Sequence, residues 1–412
     1  MADSDQSHQR RAALPFILVV VFIDVLGIGL AMPVLPMLIG DYTASRELQT
    51  YWYGALVIVY GLMQFACAPL LGALSDRFGR RPVILASIFG LGLHYLLLAL
   101  APSLWFMLIA RVIGGFTGAS FSVANAYASD VSTAEQRAKS FGLIGAAFGL
   151  GFICGPMLGG LLGGIDLRLP FYVAAGLALV NGLYGAFLVP ESLPPDRRAP
   201  FAFARANPFN ALLALARHPE IGRLVAVFAL VVLAQLILQT TWVLFTHFRF
   251  DWGPRENGFA LFCVGVVAAG VQGALLGPLL RRFGDVRLSL AGLTVGAVAY
   301  LFYGLAQHAW MMYAIIVGNF LSFAAGPALQ GIVSNAVGPR EQGVTMGALN
   351  SIQSIMFVVA PAIGTPLLAQ VSHLPPADWR VGATFFVSAA LQCIALFLAQ
   401  RHFAYQRVAR PA

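Results

Sequence analysis

The chain has 412 residues, of which 59% are apolar and only 10% charged, and its mean hydropathy is +0.80. That balance excludes an ordinary soluble domain, in which about 25% of residues are charged, and points to a chain that lives in lipid. The net charge of +8 is then a matter of which membrane face carries the arginines, and carries no weight as a nucleic-acid signal.

A hydrocarbon core about 30 Å thick takes about 20 apolar residues per helix. Twelve such windows are predicted, centred near Asp24, Met63, Leu91, Phe116, Gly151, Ala178, Ala234, Ala268, Val298, Phe323, Met356 and Leu391. All should be helical, because backbone polar groups in lipid must be satisfied within the segment and no stretch alternates as a barrel strand does. Most of the 25 basic residues fall on one side of this layout. Only Arg46, Arg168, Arg249, Arg255 and Arg380 fall on the other, and Arg111 lies inside a span. Both termini are therefore expected in the cytoplasm.

After a basic cytoplasmic start (1–13), the first span carries Asp24, Pro33 and Pro36 and lacks a small-residue cleavage site, so it should remain as a helix. A carboxylate at mid-membrane can be held neutral by desolvation and ionise when water or a cation reaches it. Asp24 could thus carry a proton, contact substrate or form a permanent pair with Arg111. The second and third spans are joined by Gly72-Ala73-Leu74-Ser75-Asp76-Arg77-Phe78-Gly79-Arg80-Arg81-Pro82. A topogenic loop would explain its arginines; Asp76 and the two glycines suggest a conformational gate built from Gly72, Asp76, Arg77, Gly79 and Arg80. His94, in the third span, could titrate near neutral pH or simply fill space. Arg111, in the fourth, keeps its charge and should order the first half.

The fifth span reads from Gly142 to Gly160 with small residues at three- and four-residue spacing, including Gly145, Gly149, Gly155, Pro156 and Gly159. Such a face lets a neighbouring helix approach closely, and the proline is expected to bend it. Residues 190–220 hold six prolines among arginines and read as a cytoplasmic linker between a six-helix bundle at 14–189 and another at 221–401, followed by a tail at 402–412. A surface helix at 207–217 is one option for that linker. The second half repeats the first loop as Gly277-Pro278-Leu279-Leu280-Arg281-Arg282-Phe283-Gly284-Asp285, and Glu135-Gln136-Arg137 returns as Glu341-Gln342-Gly343. At mid-span depth it offers neutral groups, Gln235, Gln239, Asn319, Asn350 and Gln353. Cys67, Cys154, Cys263 and Cys393 lack metal-type spacing and are expected as small buried hydrophobes.

These residues resemble the major facilitator superfamily, and within its drug/proton antiporter branch the tetracycline/proton antiporters. The loop at Gly72–Pro82, Arg111 with Gly114 and Gly115, and Gly145–Gly160 with its Gly-Pro pair match that pattern. So do Asp24–Pro36, Tyr60–Gln64, Trp242–Thr246 and Pro327–Gly331. The resemblance implies a twelve-helix, all-α membrane protein of two pseudo-symmetric halves that exports amphiphilic, tetracycline-like compounds in exchange for protons. Mid-span charge is confined to the first half and amides prevail in the second, so proton coupling is expected at Asp24 with His94 and Arg111 as modulators, and substrate contacts from Gln235, Gln239, Asn319 and Gln353, with Gln64 from the first half. Three positions depart from the resemblance: His94 stands where those exporters have an acidic residue, Ala268 where they have a histidine, and Gly296 where they have an aspartate. A proton-coupled transporter of an unrelated metabolite is the alternative. No catalytic residue, metal or cofactor is expected beyond the proton gradient. The expected partners are a small molecule, protons and membrane lipid, not nucleic acid, for a monomer in the bacterial inner membrane.

Overall fold

The computed structural model describes residues 2–118, 120–132, 137–200, 219–337 and 342–409. The surface-helix option at 207–217, and Glu135, Gln136 and Glu341 of the second repeat, lie outside them. Among the described residues the apolar windows are helical apart from short breaks, and every expected span centre falls in a helix. The spans are α1 (Ala2–Ala31), α2 (Arg46–Phe78), α3 (Arg80–Leu100), α4 (Leu104–Thr117, resumed as Ser120–Val131), α5 (Arg137–Gly163) and α6 (Leu169–Leu188). They continue as α7 (Pro219–Phe250), α8 from Pro254, α9 ending at Leu305, α10 (Ala309–Gly318, resumed as Ser322–Asn335), α11 (Gln342–Val371) and α12 (Ala383–Ala409). Gly284, with φ 73° and ψ 162°, separates α8 from α9, and α8 contains one π-helical turn, Val271–Leu275.

The breaks have local causes. The first span ends at Ala31, short of its apolar window, because Pro33 and Pro36 bring no backbone donor; a turn and the short helix Leu35–Gly40 follow. The fourth helix of each bundle is interrupted in mid-course, and side chains satisfy the freed carbonyls. Gln64 Nε2 donates to Gly118 O at 3.2 Å, and Ser322 Oγ donates to Asn319 O at 2.9 Å.

Two compact units emerge. One comprises Met1–Tyr42, Val59–Pro208 and Gly253–Phe262; the other comprises Thr43–Ile58, Phe209–Trp252 and Cys263–Ala412. In the first, Ile17, Val20, Ile84, Ile88, Tyr127 and Ile144 build a buried core around α1, α3, α4 and α5. In the second, Val227, Leu293, Leu329, Leu349, Ala395 and Ala399 do the same around α7, α9, α10, α11 and α12. The outward surface is apolar, with Trp105, Phe187 and Trp310 well exposed, as a lipid-facing wall requires.

The cysteine expectation needs correction. Cys67 is buried, but Cys154 and Cys263 are half-buried and Cys393 is exposed, beside exposed Ile394 and Phe397 on α12. In lipid, an apolar thiol on the outside of a bundle pays no penalty of the kind it would pay in water.

At one end of each bundle an arginine meets the carboxyl end of the third helix, where carbonyls lack intrahelical partners. Arg168, entering α6, donates to Ala99 O at 2.8 Å and Ala101 O at 3.2 Å, and also bonds Tyr42 Oη. In the second bundle Arg249, at the end of α7, donates to Ala306 O at 3.0 Å and to Asp378 O at 2.6 Å.

Candidate functional site

The polar core of the first unit is assembled from four helices. Asp24 on α1 is 8% exposed and His94 on α3 is 1% exposed. Gly27, one turn beyond Asp24, sits beneath Tyr95, where a Cβ would lie 3.0 Å from the ring. A side chain at 27 would press on the Tyr95 ring, which would have to shift to make room. Arg111 on α4 stacks its guanidinium 5.2 Å over the Tyr60 ring of α2, a cation–π contact. The Tyr60 and Tyr95 hydroxyls lie within electrostatic reach of both Asp24 and Arg111.

His94 is fixed by its neighbours. Its Nδ1 lies 2.7 Å from Ala110 O, and because a carbonyl only accepts, Nδ1 carries the proton of this bond. Gly114 lies flat against the imidazole, where a Cβ would be 2.6 Å from Cγ. The ring stands 6.1 Å from Tyr60 and 5.0 Å from Tyr95, centroid to centroid. The structure thus brings Asp24, His94 and Arg111 into one cluster and adds Tyr60 and Tyr95, which sequence reasoning did not single out. Their signal was present, since Tyr60 lies one turn before Gln64 on α2 and Tyr95 is the residue next to His94.

The loop between α2 and α3 forms a second polar cluster. Gly79 has φ 103° and ψ 158°, a region open essentially to glycine. Arg80 turns back to Asp76 at 2.5 Å, Asp130 at 3.0 Å and Ser75 Oγ at 2.6 Å, and Ser75 Oγ itself donates to Gly72 O at 2.7 Å. Arg77 instead lies over Phe78 at 5.1 Å. Gly72 has open space where a Cβ would stand, so packing does not demand glycine there. Glu191, just beyond α6, accepts from the backbone amides of Arg80 at 2.8 Å and Arg81 at 3.3 Å. In the sequence it was only one acid in a proline-rich stretch.

The glycines of α5 divide. A Cβ at Gly155 would stand 2.7 Å from Gly29 Cα, one at Gly159 would overlap Leu30 O, and one at Gly29 would stand 2.8 Å from Pro156 Cδ. Gly155, Pro156 and Gly159 are therefore packing residues against α1. Gly145 and Gly149 have nothing within 4 Å, so close packing does not explain them. Pro156 lies within one uninterrupted helix.

In the second unit the amides are spread out. Gln235 and Gln353 are exposed, Gln239 is half-buried, and Asn319 is 6% exposed at the break in α10. Gln64 belongs to the first unit, with its amide nitrogen engaged at Gly118. Gln392 on α12, 2% exposed, was missed. Its Nε2 lies 2.9 Å from where a Cβ on Gly296 would be, so this amide takes up the room that a side chain at 296 would need. No group of three or more His, Cys, Asp or Glu suited to a metal occurs among the described residues.

Against this geometry, the family model described as Major Facilitator Superfamily matches residues 17–361. The chain is 39% identical over 91% of its length to the class C tetracycline resistance protein of Escherichia coli, covering 94% of that protein. It is 35% identical over 96% of its length to the class G tetracycline resistance protein of Vibrio anguillarum, covering 98% of it. Among solved structures, the human organic anion transporter MFSD10 superposes with a TM-score of 0.68 at 26% identity, covering 95% of this chain and 99% of that one.

Proposed function

The chain belongs to the major facilitator superfamily and to its drug/proton antiporter branch, and on that premise we propose that it exports amphiphilic drug-like compounds, tetracycline-like ones first, in exchange for protons by alternating access. The observation that carries this reading is the burial of Asp24 with His94, Arg111, Tyr60 and Tyr95 inside one unit. A buried carboxyl is held neutral where water is excluded and is charged where a cation or water reaches it. Exchange of the proton for a drug then follows if each conformation favours one state. His94 and Arg111 modulate that exchange.

Asp76, Arg77, Gly79 and Arg80, with Gly72, form the gate, whose contacts bias the two conformations. Gln235, Gln239, Asn319 and Gln353 help select substrate, as does Gln64. The protein works as a monomer in the bacterial inner membrane with both termini in the cytoplasm, driven by the proton gradient and using no catalytic residue or cofactor.

Transport into proteoliposomes tests the central assignment. Asp24→Asn is expected to abolish pH-gradient-driven movement of tetracycline while the purified protein still binds it. Undiminished gradient-driven transport by this variant would remove Asp24 from the coupling.

A further inference from the structure

The last turn of α6 and the segment that leaves it are bonded to α4 and to the residues around the α2–α3 loop at several points. Tyr127 Oη donates to Pro190 O at 3.0 Å, Arg81 Nη2 donates to Ala186 O at 2.5 Å, and Ala199 N donates to Asp76 O at 3.1 Å. At its centre is Glu191. One carboxylate oxygen accepts from Arg80 N and from Leu193 N at 3.0 Å, and the other accepts from Arg81 N. Arg80 N and Arg81 N are the first amides of α3, which have no partner inside their own helix, and an anion suits the helix start. The next residue acts on the other side of the same arginine, since Ser192 Oγ donates at 3.3 Å to Asp130 Oδ2, the atom that Arg80 Nε meets.

We propose that Glu191 is a positioning residue for the Asp76–Arg80 gate. It anchors the backbone of Arg80 from a point 111 residues away in sequence, and Ser192 steadies the carboxylate that receives the side chain. The guanidinium is thereby aimed at Asp76. Gly79 fits the same account, because a Cβ there would overlap Glu191 and press on Arg198. This inference rests on the gate reading above, and its test separates the two.

Initial rates of tetracycline transport in proteoliposomes would give kcat and KM for Asp76→Asn, Glu191→Ala, Glu191→Gln and the double variant D76N/E191A. Losing hydrogen bonds to a charged group costs about tenfold or more. Glu191→Ala should lower kcat about as much as Asp76→Asn does and leave KM within about twofold. Glu191→Gln, which keeps an acceptor oxygen at the same reach, should recover most of the rate. The double variant should be no slower than the slower single variant, because both act through one gate. Normal turnover in Asp76→Asn would overturn the gate itself. Slow Asp76→Asn with normal Glu191→Ala, or a double variant slowed by the product of the two single effects, would overturn only the part given to Glu191. If Glu191→Ala does not insert, Glu191→Asp takes its place; this variant keeps the charge but shortens its reach, so it should show an intermediate kcat, and a wild-type kcat would overturn the proposal.

Discussion

At Gly79 the backbone turns with φ 103°, and at Gly284, its counterpart in the second bundle, with φ 73°. Around these matching turns the charges are arranged differently. Asp76 corresponds to Arg281 and Arg80 to Asp285, so the pair is reversed in sign. Arg80 is held by Asp76, Asp130 and Ser75, whereas Arg281 and Asp285 form no ion pair among the described residues. A Cβ would collide with Glu191 at Gly79 and meet nothing within 4 Å at Gly284. The backbone turn is thus common to both copies of the loop, while the network around the first also draws on Asp130 and Glu191 from elsewhere in the chain.

The largest difference should come from the glycines. Leaving this region of backbone space to a side chain costs about 1–3 kcal/mol, and only at 79 is a steric collision added. Gly79→Ala should remove nearly all transport or most of the inserted protein, while Gly284→Ala should keep a measurable fraction of both, scored by membrane yield and tetracycline flux. Equal losses would mean that the turn alone matters.

A smaller contrast should separate the charges. Asp76→Asn is expected to slow turnover about tenfold, in keeping with one charged hydrogen-bonded pair, and Arg281→Gln to change it by less than about twofold. A larger effect at Arg281 would place the working gate in the second loop.

Smallest are the amides. One neutral hydrogen bond contributes about 0.5–1.5 kcal/mol, so Gln239→Ala and Asn319→Ala should shift apparent drug affinity several-fold and leave the pH profile of transport in place. A moved pH optimum would show that proton handling is shared between the bundles.

The helices and the polar cluster around Asp24 were legible because lipid imposes a simple rule on composition, and an ionisable residue that breaks the rule stands out. Gly79 was legible because its loop recurs as Gly277–Asp285. Glu191 was not, because its partners are distant in the chain and an acid among prolines and arginines resembles any solvated linker. Gln392 was passed over for a related reason: only packing reveals that it occupies the room beside Gly296. The glycines of α5 form one motif in sequence but divide in space, since sequence spacing records which face a residue shares and says nothing of what stands opposite.

The π-helical turn at Val271–Leu275 bears on how this chain lines up with its own duplicate. Such a turn accommodates one more residue than an α-helical turn of the same height, so counting along α8 across it slips by one position. Deleting a single residue there would let the helix close into regular α geometry while leaving the part that leads to Arg281 and Arg282 on the same face, whereas a deletion elsewhere in α8 would swing that part by about 100° around the axis. A gap placed in that turn, rather than in a loop, is therefore the correct way to pair α8 with α2.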